Sequence, residues 1–341
     1  METRKLQRVG GGTYTVSIPK EWATTHGLEA GTAVNLYTHL DGSIVVRSHA
    51  KDGGNLATVR IGVDGEGPDR ARRALRAAQA VGFESVTLVS DASFTPAERR
   101  AVNAMVRGLV GTEVVDERDD ELTVRNLLDA SDVSVRQSVV QLQFVALSIH
   151  RRATASLTEA NDEAYDRLRE RESEADRLFE MVSRHFTRAL ISLEEVDRLG
   201  TTRPELFDYY ETARQLRAVA SEGVGIARAT RRLSRPLPEG VADDVAAAAD
   251  TARTVVEDAS GAVLDGGDFD AVHRVLDARD EARARLDALD DTLTDEWTDA
   301  LADAADAIAV ARTLDSFVRT LDYGAAVADV ALRARTRTEN L

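Results

Sequence analysis

The chain has 341 residues, 43% of them hydrophobic and 30% charged, enough to build cores for two or three domains. It has no cysteine, which excludes disulfides, thiolate metal sites and cysteine nucleophiles. No run approaches the ~20 apolar residues of a membrane span, and the first sixteen residues have no apolar stretch behind their basic ones, so a cytoplasmic location is expected.

A formal net charge of −16 disfavours nucleic acid as a sum, but its distribution does not. Residues 1–50 carry Arg4, Lys5, Arg8, Lys20 and Arg47 against Glu2, Glu21, Glu29 and Asp41, a net of +1, which leaves −17 for the other 291. An acidic body with one non-acidic head can still meet DNA through the head. Only Lys5, Lys20 and Lys51 are lysines, against forty arginines. Few lysines, an acid excess and many short Ala and Val side chains fit adaptation to molar salt. There a Debye length of about 3 Å screens the self-repulsion of such a chain.

In chain order, Gly10–Gly12 breaks the chain before an alternating β run, Tyr14–Ile18, that stops at Pro19. Lys20–Thr25 is compatible with a short helix, Gly27–Gly31 with a turn and Ala33–Thr38 with a strand. Asp41-Gly42 signals a hairpin, with Ser43–Arg47 as the partner strand. About fifty residues with so few large apolar groups cannot easily close a core alone, so dimerisation is expected.

From Thr58 to Asn126 the pattern alternates between periods of two and 3.6. It gives a strand at Val59–Val63, a helix at Asp69–Val81 ending near Gly82, and a strand at Val86–Val89. A further helix opens at Thr95-Pro96 and runs to about Val110. Val114-Val115 and Leu122–Val124 are strand candidates. Gly62-Val63-Asp64-Gly65 follows a strand but lacks a phosphate-loop pattern, so nucleotide binding is not expected there.

From Asp132 onward the chain reads as helical. Val135, Val139, Leu142, Ala146 and Ile149 form one apolar stripe; Ala175, Phe179, Val182, Phe186 and Ala189 form another. Breaks at Gly200–Pro204, Arg235–Gly240 and Gly266-Gly267 give six long helices in two sets of three, with left-handed bundle packing expected. Arg171–Leu178 lies 108 residues before a loosely similar Arg279–Leu286, the mark of an internal repeat. The expected architecture is α+β and multidomain: a β head over 1–49, a small α/β unit over 55–127, and three-helix bundles over 132–236 and 238–336.

Two resemblances bear on function. The helical part resembles the PhoU family of phosphate-uptake regulators: Glu172-x-x-x-Asp176 matches its second-helix acidic motif, and Arg319–Asp322 with Val327–Asp329 resembles its third-helix pattern. The head is similar to SpoVT–AbrB-type swapped-hairpin DNA-binding domains. The likeness lies in Arg8-Val9-Gly10, the run Ser17–Trp22, the turn Gly27–Gly31 and the Asp41-Gly42-Ser43 hairpin. Fusions of the two resemble archaeal, in particular haloarchaeal, PhoU-type transcriptional regulators.

The resemblance implies a homodimeric, non-enzymatic regulator of phosphate uptake. It would bind DNA and sense phosphate status through a protein partner, such as a transporter or signalling protein, or through an effector. The alternative is an adaptor for a phosphate transporter or sensor kinase that does not read DNA. Arg4, Lys5, Arg8 and Lys20 are the candidate DNA contacts, arginine being suited to bidentate contacts with guanine or phosphate.

Glu172 and Asp176 fall one turn apart on one helix face, as hard-oxygen ligands for Mg²⁺, Mn²⁺ or Fe would. The family's ligand sets also draw on the third helix. There the first bundle aligns Ser221 and Arg228 with the acids, while the second keeps Asp322 and Asp329 but has Ala284 on its second helix. Each set is half complete, so the expectation is at most a weakly bound divalent metal and no firm cofactor. The six histidines show no spacing suited to catalysis; His150 and His185 read as structural, and Trp22 and Trp297 as core or interface aromatics.

Overall fold

The computed structural model describes residues 3–39, 42–48, 56–64, 67–159, 163–293, 297, 301 and 304–339. The chain forms two compact units, Met1–Gly54 and Asn55–Leu341.

In the first unit, β1 (Gln7–Val9) pairs antiparallel with β2 (Thr13–Thr15), from Gln7 opposite Thr15 to Val9 opposite Thr13. The reversal passes through Gly10 at φ +65°, a left-handed conformation that costs glycine nothing. The alternating run was expected to extend to Ile18, but β1 offers only three partners. Val16 and Ile18 therefore stand outside the ladder, exposed. Helix α1 (Lys20–Thr25) follows, and then β3 (Asn35–Thr38) pairs antiparallel with β4 (Ile44–Arg47). Of the expected hairpin signal, Gly42 has φ +81° and Asp41 lies outside the described residues.

The second unit begins with β5 (Thr58–Gly62), α2 (Pro68–Val81), β6 (Ser85–Val89), α3 (Pro96–Arg107), β7 (Thr112–Glu117) and β8 (Glu121–Asn126). The sheet order is β5-β6-β8-β7, with β5 parallel to β6 and the other pairs antiparallel. Alternate residues Val86, Leu88, Leu122 and Val124 are buried with Leu75 of α2 and Val102 of α3 in a core of their own. At the start of α3, Thr95 accepts from the Glu98 amide and Glu98 from the Thr95 amide, so Pro96 sits at a position that needs no donor.

The rest is helical: α4 (Val135–Thr158), α5 (Ala164–Ile191), α6 (Leu193–Leu199), α7 (Arg203–Thr230), α8 (Glu239–Gly261), α9 (Phe269–Thr292) and α10 (Ala304–Glu339). A π-helical turn, Ala262–Gly266, ends α8. One continuous core runs through both sets of three long helices, from Val135 to Ala331. The stripe from Val135 to Ile149 is buried throughout, each large side chain contributing roughly 1.5–3 kcal/mol. In the α5 stripe Ala175, Val182 and Ala189 are buried, while Phe179 and Phe186 are half-buried against Tyr210, the Phe186 ring stacked at 4.6 Å.

The third long helix of each set carries a glycine where it meets the first. A Cβ at Gly223 of α7 would lie 2.8 Å from Ile149 Cγ2, and one at Gly324 of α10 would lie 2.9 Å from Val255 Cγ1. These equivalent close approaches repeat the packing of one set in the other.

Arginines of α5 join the α/β unit to the helices. Arg188 donates to the Gly82 carbonyl at 2.8 Å and to Glu84 at 3.0 Å, and Arg184 donates to Gln79. Gly82, at φ +104°, closes α2 where any Cβ would meet Arg188. No described helix is long and apolar enough to cross a membrane.

Candidate nucleic-acid interface and acidic helix motif

Arg4, Lys5, Arg8 and Lys20 are all exposed. Arg8 lies on β1 opposite Tyr14 and donates to the Gly11 carbonyl at 3.2 Å across the glycine turn, which holds its side chain over the hairpin. Lys20 is the first residue of α1. Just past the end of α1, His26 stacks on half-buried Trp22 with ring centroids 4.6 Å apart and donates from Nδ1 to the Trp22 carbonyl at 2.8 Å.

None of the described residues in this unit is buried. Its apolar groups stand in solvent instead: Leu6 is 71% exposed, Tyr14 67%, Ile44 65% and Leu36 64%. Isolated two-stranded hairpins are at best marginal in water, and the described residues of this unit form no stabilising core within one chain.

In the helical part, Glu172 and Asp176 of α5 meet α7 through non-acidic partners. Ser221 Oγ donates to Glu172 at 2.6 Å, and Arg217 Nε donates to Asp176 at 2.5 Å. The partner of Asp176 is thus an arginine across the seam between α5 and α7. Arg228 points to Tyr165, with 3.4 Å between Nη2 and the hydroxyl.

In the second set, Asp322 accepts from Arg279 at 2.8 Å with Arg283 at 3.8 Å, and Asp329 is exposed. A divalent ion needs several hard oxygens converging on one point. Here each bridged carboxylate faces a guanidinium or one hydroxyl, and the described residues hold no group of three or more His, Asp or Glu suited to a metal. These donor sets do not fit a divalent metal centre.

Two buried polar clusters lie elsewhere. Arg253 Nη1 approaches His150 Nδ1 at 3.4 Å and, having only donors, requires that nitrogen to accept. Nε2 then carries the proton and faces Thr320 Oγ1 at 3.4 Å, whose own hydroxyl donates to the Ser316 carbonyl. Burial, reinforced by the Arg253 charge, pushes His150 down to about 3, so it is a neutral core group. Buried Glu195 accepts from His185 at 2.7 Å and Arg188 at 2.9 Å. Burial opposes its ionisation, but these two donors outweigh it and hold the carboxyl below the usual range. Trp297 lies in the helical core.

Sequence reasoning did not single out Arg184 and Gln79. Arg184 follows buried Val182 by two residues and precedes Arg188 by one turn, so a charged residue beside an apolar stripe was the available signal.

Residues 7–54 match the family described as antidote-toxin recognition MazE, a bacterial antitoxin. No curated protein matches the chain. Among solved structures, the phosphate transport system regulatory protein PhoU from Streptococcus pneumoniae is similar at 13% identity and a TM-score of 0.49. The match covers 60% of this chain and 94% of that one.

Proposed function

We propose that the protein is a dimeric DNA-binding transcriptional regulator of phosphate uptake. It contacts DNA through Arg4, Lys5, Arg8 and Lys20, and its helical body reports phosphate status through a protein partner or effector. The observation that carries this is the head. A unit with no buried residue among those described and a row of exposed apolar side chains is completed by a second copy of itself. The similarity of residues 7–54 to an antitoxin family supports a small recognition head separate from the body. In a dimer the exposed basic residues occur twice, matching two half-sites. In molar salt counterion release adds little, so discrimination rests on direct hydrogen bonds and shape.

The phosphate half of the proposal rests on the acidic-motif resemblance of the helices. Genome-wide mapping of DNA occupancy in phosphate-rich and phosphate-starved cells tests the whole. Discrete promoter peaks that change with phosphate are expected, whereas no enrichment in either condition favours the adaptor that does not read DNA.

A further inference from the structure

A cavity of about 280 Å³ opens where α5 meets the α/β unit, walled by α2, α3, β7 and the end of β8. Its apolar wall is made by Met105, Leu109, Leu128 and Phe179. Against this wall stand four arginines, Arg76, Arg177, Arg184 and Arg217, a local exception in so acidic a chain.

Two of the four are engaged: Arg217 holds Asp176 at 2.5 Å, and Arg76 faces Glu180 at 3.9 Å. Arg177 and Arg184 make no ion pair among the described residues. Arg184 is 7% exposed and gives one N–H nitrogen to Gln79, at 3.2 Å from its carbonyl and 3.1 Å from Oε1. Turning Oε1 toward Arg184 leaves Gln79 Nε2 buried with no hydrogen-bond partner.

A buried guanidinium normally needs a charge partner, and a buried amide N–H normally needs an acceptor. Among the described residues Arg184 makes no direct ion pair, although Glu195 and Glu84 lie near enough to oppose the loss of its charge, and Gln79 Nε2 has no acceptor. Burial first, and the neighbouring Arg188 charge second, hold Arg184 down at about 10. Arg177 and Arg184 therefore line the cavity without an ion-pair partner among the described residues, and the complement they lack is an anion. Arginine's planar fork suits the oxygens of a phosphate or carboxylate.

We infer that the cavity binds a small organic anion. Its phosphate or carboxylate head would be held by Arg184 and Arg177, and its apolar body would lie between Leu109, Met105 and Phe179. Glu180 is the carboxylate on this wall, and Arg76 stands beside it. Burial raises the Glu180 carboxyl above its usual range, so it gives up charge more readily when an anion enters. A shallower cleft shares Arg177 and Glu180 and continues to Ser173 and Asp176, which places the ligand beside the acidic motif of α5. Occupancy adds contacts between α5 and the α/β unit, so the ligand stabilises their docked arrangement in proportion to its binding. None of this depends on whether the head reads DNA.

The test is calorimetric titration of the full chain with 1-naphthyl phosphate and 1-naphthoate, with neutral 1-naphthol as control. At least one of the anions should bind saturably, one per chain, and at least tenfold tighter than the naphthol. Whichever anion binds better identifies the head group. Arg177→Gln, at a half-exposed position, and Arg184→Gln should each weaken the anion at least tenfold. Leu109→Trp should abolish binding by filling the cavity, with native ellipticity confirming the fold of each variant. Absence of saturable binding by both anions overturns the inference. So does equal binding of the naphthol, or unchanged affinity in Arg177→Gln and Leu109→Trp.

Discussion

Replacing His150 with glutamine should change how stability depends on pH, by an amount that follows from the site. The imidazole is fully buried between Arg253 of α8 and Thr320 of α10, with the Phe317 ring 5.5 Å away. Burial first, and the Arg253 charge second, put its folded pKa at about 3, against about 6.5 for an unperturbed histidine. Below about pH 6.5 the unfolded chain takes up a proton that the folded chain refuses until about pH 3. The contribution is therefore fully present above 6.5 and is lost as pH falls, at about 1.4 kcal/mol per pH unit. Between about pH 7 and pH 5 this amounts to about 2 kcal/mol. Glutamine keeps a polar group at the position but does not titrate. Guanidinium unfolding followed by far-ultraviolet ellipticity at both pH values measures the difference. The wild type should lose about 2 kcal/mol more than His150→Gln on acidification. Parallel losses would refute the assignment of a neutral buried imidazole.

Gly223→Ala should destabilise the helical core by roughly 1–3 kcal/mol despite alanine's better helix propensity, because its Cβ would lie 2.8 Å from Ile149 Cγ2 and 3.0 Å from the His150 backbone nitrogen. An unchanged or raised guanidinium midpoint contradicts that packing. Dialysis against a chelator should barely move the melting temperature, since Asp176 and Asp322 are engaged by arginines. Several iron or manganese ions per chain surviving that dialysis would overturn this expectation. Diluting potassium chloride from about 3 M to about 0.1 M lengthens the Debye length to about 10 Å and should lower ellipticity as the carboxylates of the acidic body repel. Constant ellipticity across the dilution contradicts the salt-adaptation reading of the composition.

Elements with strong local signals were legible in the sequence. The Thr95-Pro96 start of α3 and the Gly82 end of α2 announce themselves through capping chemistry, and the stripe from Val135 to Ile149 through its period. Strand β1 was missed because three residues ending at a glycine run carry no alternation to count. The break at Ser192 was missed as well, although Ser192 accepts from the Glu195 amide to start α6, because no glycine or proline marks it. The alignment of Ser221 and Asp322 as equivalents was readable from short motifs, and Gly223 and Gly324, two residues on in each helix, carry the same relation in packing. Arg184 and Gln79 were not readable, because their meeting joins residues 105 positions apart across two elements that no local pattern links.

The central claim is that the head reads DNA through its exposed basic residues. Its most direct test is retardation of phosphate-uptake promoter DNA in molar salt by the full chain, beside the Arg8→Ala/Lys20→Ala double variant. The wild type should retard the DNA and the double variant should not, while its helix content and sedimentation stay unchanged. Equal retardation by the double variant, or none by the wild type, would contradict the account.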